Sequence, residues 1–158
     1  MYRIGHAWDT HKLIEGRKLV LGGVEFESKV GLLGHSDADV VLHAIAESLL
    51  GSLALGDLGS FYPDTSDETL NMDSKVILKE CYQKVLDYGF KLNNLDVTIY
   101  SEYIKIAPKR EEIKASIANI LNVDISQVSI KATTWEKMGF IGRGEAIASE
   151  CVCLIESK

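Results

Sequence analysis

The sequence predicts an α+β fold, a mixed β-sheet covered by helices on one face, and three observations carry that expectation. Segments with helical spacing of apolar residues alternate with segments of two-residue alternation. A Gly22-Gly23 pair stands between two apolar arms, the pattern of a hairpin. The 158 residues are 46% hydrophobic and hold only two prolines, Pro63 and Pro108, with no low-complexity linker or internal repeat, so residues 1–158 read as a single domain. A chain of this size buries enough surface to fold without disulfides or a structural metal, which leaves any metal free for chemistry. A mixed-sheet α/β sandwich is the nearest alternative; a helical bundle does not fit the strand patterns.

Taken in order, Tyr2 to Trp8 reads as a strand, and Lys18 to Glu27 as two strand arms around the glycine pair. From Asp37 to about Leu55, Val40, Val41, Ile45, Leu49 and Leu50 recur at near-helical spacing, with Ser36 in front as an N-cap. A second helix is expected from Asp73 or Ser74 to Tyr88, through Ile77, Cys81 and Val85, with Gly89 as its stop. Leu92 to Tyr100 alternates as a strand, Pro108 opens a third helix that runs to Leu121, and Val128 to Thr134 alternates again. Glu145 to Glu156 closes the chain as an apolar-rich strand.

The formal net charge of −6 lacks the basic footprint that binds phosphate backbones, so no nucleic-acid partner is expected. A small polyphosphate remains compatible where metal ions, a few Lys or Arg and backbone N–H groups neutralise it locally. Cys81, Cys151 and Cys153 are odd in number and lack framework spacing, which points to a reducing compartment and to cysteines packed as small hydrophobes. The segment from Met1 to Asp9 has no signal-like apolar run, and no stretch is long enough to span a membrane. A soluble, cytoplasmic protein without a membrane partner is expected; a mature plastid-type protein would read the same.

Two clusters carry metal chemistry. In Asp9-x-His11, at the end of the first predicted strand, residues i and i+2 project to one face and can meet a common ion, although the tripeptide alone is common by chance. Gly34 to His43 places His43 four residues beyond Asp39, so the carboxylate is positioned to orient the imidazole; offsetting the helix dipole from the first turn is the plainer role for Asp39. Asp9, His11 and His43 together form a two-histidine, one-carboxylate set suited to Zn²⁺ with one position open. His35 and Ser36, before the helix, would present polar groups and backbone N–H donors to an anion, or simply cap it.

A second polar concentration, Lys131 to Glu145, offers Thr133 and Thr134 as donors to phosphate oxygens and Glu136 as a hard ligand for Mg²⁺ or Mn²⁺. Gly142-Arg143-Gly144 is either an anion-binding turn or a flexible loop. Gly56-Asp57-Leu58-Gly59 and Tyr62-Pro63-Asp64-Thr65-Ser66 add carboxylates and hydroxyls that periodicity alone cannot bring together.

Arg3-Ile-Gly-His-x-x-Asp-x-His11, Gly31-Leu-Leu-Gly-His-Ser-Asp-Ala-Asp39 with His43, Leu55-Gly-Asp-x-Gly59 and Lys131-Ala-Thr-Thr-x-Glu-Lys-x-Gly-Phe140 run in the order and spacing of one family. Along essentially its whole length the chain resembles the cyclodiphosphate synthases of the non-mevalonate isoprenoid pathway. The resemblance implies a phosphorus–oxygen lyase that cyclises a cytidine-diphosphate methylerythritol phosphate and releases CMP. It implies one Zn²⁺ per subunit on Asp9, His11 and His43, and Mg²⁺ or Mn²⁺ on Glu136 across the diphosphate. His35 and Thr134 would steady the transition state. Asp57 and Gly59 would lie at the methylerythritol, and Tyr62, Asp64 and Ser66 at the phosphate side with Ser36. Ser101, Lys105, Ala107 and Thr133 would shape the cytidine pocket.

It further implies a homotrimer with active sites at the subunit junctions, and a central cavity at Phe140, Arg143 and Glu145 where members can hold an isoprenoid diphosphate. The chain departs from the family pattern in its Ser101 to Ala107 loop, in Trp135, which replaces a smaller residue, and in Ala146, which replaces glycine. Two other classes stand beside the cyclase: a zinc hydrolase using metal-bound water, which lacks an H-E-x-x-H helix here, and a non-catalytic trimeric module binding isoprenoid diphosphates.

Overall fold

The computed structural model describes residues 1–158. Its seven strands are β1 (Tyr2–Glu15), β2 (Leu19–Leu21), β3 (Val24–Phe26), β4 (Val30–Leu32), β5 (Phe90–Tyr100), β6 (Val128–Thr133) and β7 (Ala146–Ser157). Five strands form one mixed sheet in the order β4-β1-β7-β5-β6, and β2 and β3 pair separately as the expected hairpin. Only β5 and β6 run parallel, and the helix α4 (Arg110–Leu121) lies between them in sequence. The α+β reading holds: α1 (Val40–Ser52), α3 (Ser74–Asp87) and α4 pack with one face of the sheet into a continuous apolar core.

β1 is longer than its apolar pattern suggests. Residues 2–12 pair with β7, and residues 13–15 then pair with β4, so backbone partners continue well past Trp8. The Asp9-x-His11 pair therefore lies in the middle of a strand and not at its end. In β5, two residues stand against one on β7 between Leu92 and Asn94, a bulge that resets the alternation. Leu92 and Leu95 are thereby both buried.

The close approach of α1 to the sheet depends on Gly5. A β-carbon there would sit 1.8 Å from the Ser48 carbonyl oxygen. Cys81, Cys151 and Cys153 are buried and unpaired, as their apolar setting predicts, and burial pushes the Cys81 thiol up to about 12. Two four-residue helices lay outside the sequence expectation, α2 (Leu58–Phe61) and α5 (Gly139–Gly142). No helix is long and apolar enough to cross a membrane.

Candidate metal centre and active site

Asp9 and His11 project from β1 toward the helix-covered face, level with Ser149 and Ile147 of β7. His43, in the first turn of α1, meets them there. His11 Nδ1 stands 3.3 Å and His43 Nδ1 3.5 Å from Asp9 Oδ2, and one donor atom from each of the three residues lies within 4.8 Å of the others. The two imidazoles are tilted by 54° with ring centroids 5.3 Å apart.

The donor set fits a metal ion. His11 Nδ1 is buried without a hydrogen-bond partner, a cost that an ion bound to its lone pair would remove. Burial, partly offset by Asp9, lowers the pKa of His11, which favours the neutral imidazole that a metal requires.

Two details of the predicted helix entrance change. Asp39, not Ser36, is the N-cap: its carboxylate accepts from the N–H groups of Val41 and Leu42, and also from Gly22 and Gly23. These four donors hold a fully buried carboxylate that burial nonetheless pushes up to about 6. With its oxygens committed there, Asp39 does not orient His43. The ring instead approaches Ser74 Oγ at 2.8 Å and Ser36 Oγ at 3.2 Å through Nε2.

A cavity of about 540 Å³ opens over the triad. Asp9, His11, His35, Ser36, His43, Gly59, Tyr62 and Asp64 all line it. The His35 Nε2–H donates to the Ser66 carbonyl at 3.0 Å, which ties the turn before α1 to the segment after α2. Asp57 is exposed and caps α2 through Ser60, whose hydroxyl and N–H hold its carboxyl below the ordinary value. The Tyr62 hydroxyl donates to Glu80 at 2.5 Å, and burial followed by that bond raises its pKa.

Sequence reasoning missed Glu47, Thr69 and Ile77 in this cavity. Glu47 was within reach of pattern reading, since it lies four residues beyond His43 on the same helix face. Arg17 was also missed: its guanidinium donates to the Gly34 and Ser36 carbonyls at 2.8 and 3.0 Å, clamping the turn that carries His35.

The remaining predicted residues lie elsewhere. Asp9 is level with Ser149, Ser149 with Ile99, and Ile99 with Ala132, so Thr133 and Thr134 stand three strand spacings, about 14 Å, from the triad of their own chain. Glu136 and Lys137 follow with φ of 51° and 63°, a left-handed pair of the kind that strained functional loops retain. Ser101 lines a second cavity of about 270 Å³ with Tyr103 and Gly144, while Lys105 and Ala107 are exposed. Phe140 and Glu145 border a third, of about 510 Å³, with Thr10 and Lys12. Arg143 pairs with Glu145 at 2.7 Å. Trp135 packs edge-on between Tyr100 and Phe140.

The model of the YgbB family matches residues 2–156. Curated relatives named 2-C-methyl-D-erythritol 2,4-cyclodiphosphate synthase include those of Natranaerobius thermophilus, 51% identical over 98% of both chains, and Geobacillus sp., 48% identical over the whole of both. Among solved structures, the bifunctional IspDF of Campylobacter jejuni superposes with a TM-score of 0.96 at 36% identity, covering 100% of this chain and 43% of that one. A Plasmodium falciparum IspF, solved as a CDP complex, does so with a TM-score of 0.87 at 33% identity over 99% and 97%. Matched from end to end in sequence and fold, the chain belongs to the YgbB family of 2-C-methyl-D-erythritol 2,4-cyclodiphosphate synthases.

Proposed function

We propose that this chain, acting as a single domain in the cytoplasm, converts 4-diphosphocytidyl-2-C-methyl-D-erythritol 2-phosphate to 2-C-methyl-D-erythritol 2,4-cyclodiphosphate and CMP. The observation that carries the reading is the convergence of Asp9, His11 and His43 on the floor of a cavity that His35 and Ser36 also line. The full-length relatives that bear the synthase name support it, as does the CDP complex of a relative.

An oxygen of the 2-phosphate attacks the β-phosphorus, forming one P–O bond, while the bond from that phosphorus to the bridging oxygen breaks and the oxygen leaves with CMP. No protein nucleophile is needed; the task is to bring two anionic groups into line and neutralise them. Asp9, His11 and His43 would hold a Zn²⁺, and Glu136 a Mg²⁺ or Mn²⁺. Such ions supply Lewis-acid charge neutralisation at the phosphoryl oxygens. His35 and Thr134 add hydrogen bonds to the developing charge, Ser36 steadies the phosphate, and Asp57 and Gly59 hold the methylerythritol beside Tyr62, Asp64 and Ser66.

The cytidine pocket, with Ser101, Lys105, Ala107 and Thr133, comes from a neighbouring subunit of a homotrimer. The 14 Å separation of Thr134 from the triad of its own chain supports a shared site. So does the uncovered sheet face, where Tyr2, Ile4, Trp8 and Val152 expose apolar surface. An isoprenoid diphosphate on the trimer axis would meet Phe140 and Arg143.

The test is incubation of the protein with this substrate, Zn²⁺ and Mg²⁺, followed by ³¹P NMR. CMP together with a cyclic diphosphate is expected. A linear hydrolysed product, or no turnover by folded, zinc-loaded protein, would overturn the reading.

A further inference from the structure

We infer that Asp37 and Ser74 are positioning residues for His43, fixing which of its ring nitrogens faces the metal. The inference rests on the metal-site part of the function proposed above. Ser74 opens α3, 31 positions from His43 in sequence, and is 1% exposed. Its hydroxyl touches His43 Nε2 at 2.8 Å on one side and the Asp37 carboxylate on the other. Its backbone N–H also donates to Asp37 Oδ2 at 3.1 Å. The second Asp37 oxygen accepts in addition from the Asp39 N–H at 3.1 Å.

Proton counting gives the direction of this chain. A serine hydroxyl has one hydrogen, and an ionised carboxylate only accepts. Ser74 therefore donates to Asp37 and must accept from His43, so the His43 proton resides on Nε2. Ser36 Oγ, which already accepts from the Ala38 N–H, stands at 3.2 Å as a weaker second contact to the same nitrogen. The lone pair is left on Nδ1, the nitrogen that faces Asp9 at 3.5 Å. Hydrogen bonds of this kind set the tautomer and orientation of metal-bound histidines, here with a serine interposed between ring and carboxylate. The same contacts link the turn before α1 to the start of α3, so the ring is held by two elements besides its own helix.

The test uses the full-length protein with Co²⁺ or Zn²⁺ alone. Ser74→Ala is expected to weaken metal affinity by ~10- to 100-fold in chelator competition, with Ser74→Thr restoring most of it. Long-range ¹H–¹⁵N correlation spectra of the metal-free protein should show His43 as the Nε2–H tautomer in the wild type and a shift toward Nδ1–H in Ser74→Ala. Asp37→Asn probes the same chain if Ser74→Ala folds poorly, because either amide orientation sets an NH₂ against a backbone N–H, and it should weaken affinity similarly. Wild-type affinity and tautomer in both folded variants would overturn the relay while leaving the metal site standing. A wild-type protein that binds neither ion would overturn the metal site and the relay together. Loss of affinity without a tautomer shift, unrescued by threonine, would reduce Ser74 to a packing role and overturn the positioning claim.

Discussion

The two faces of the five-stranded sheet are built from the same strands and serve opposite ends. Along β1, Gly5, Ala7, Asp9 and His11 turn toward α1, and all four are at least partly shielded. Their neighbours Tyr2, Ile4, His6, Trp8, Thr10 and Lys12 turn the other way and are exposed, with Tyr2 and Ile4 at 66% and 68%. On the helix side, polar groups are enclosed; on the open side, apolar groups await a cover. Because the strand period is two, a one-residue slip would exchange the candidate metal ligands for open-face residues. The pairing of β1 with β7 over eleven successive residues, Tyr2 to Lys12, prevents that slip.

The sharpest break of the helix side is His43→Ala. Loss of bound metal, read by elemental analysis, should accompany a fall in CMP release of more than ~10³-fold, since even one stabilising contact in such sites is worth ~10²–10³. Retention of both metal and turnover would sink the ligand assignment. The corresponding break of the open side is Ile4→Asp. An uncompensated buried carboxylate costs about 3–5 kcal/mol, so light scattering should show the mass of the proposed trimer falling to that of the monomer, with metal content unchanged and turnover lost. A monomeric wild type, or a trimeric variant, would remove the open face from the proposed assembly.

How much of this was readable in advance divides along the same line. Periodicity located every helix of twelve or more residues and the two glycine-hinged strands, because those patterns report burial directly. The candidate metal triad was legible because i, i+2 spacing on a strand and a histidine on an amphipathic helix are local facts, which the structure brings together. Local spacing misassigned Asp39, whose four N–H partners include Gly22 and Gly23 from a distant hairpin. It could not find Ser74, which reaches His43 only through the packing of α3 beside α1. The short strand β4 and the far end of β1 depend on partner strands and not on their own composition.

A smaller effect probes how tightly the helix side is closed. Gly5→Ala places a methyl group against the Ser48 carbonyl, with Ser52 N also within 2.9 Å. Both atoms belong to the helix backbone, so α1 must lift off the sheet, a displacement that costs about 1–3 kcal/mol. The urea midpoint should fall accordingly. In the Ile4→Asp monomer, substitution of exposed Val152 by Ala should move it far less, and equal shifts would mean that the two faces are not packed differently.

The smallest expected effect lies on the open face, where Glu150 accepts from Tyr100 Oη at 2.6 Å and meets His6 Nε2 at 2.8 Å. These contacts, Tyr100 first, hold the Glu150 carboxyl below its ordinary value. A folded-state pKa that is depressed contributes stability that is present above the unfolded carboxylate pKa and fades as pH falls through the folded one. Tyr100→Phe should therefore lower stability by ~0.5 kcal/mol near neutrality, as befits a solvent-accessible pair. The difference from wild type should narrow in urea titrations carried below the ordinary glutamate range, where Glu150 is protonated in both proteins. The edge-on stacking of Tyr100 on Trp135 survives the substitution in form, so the pH-dependent part of the difference isolates the hydroxyl–carboxylate bond. A difference that stays constant down to acid pH would assign the effect to packing alone.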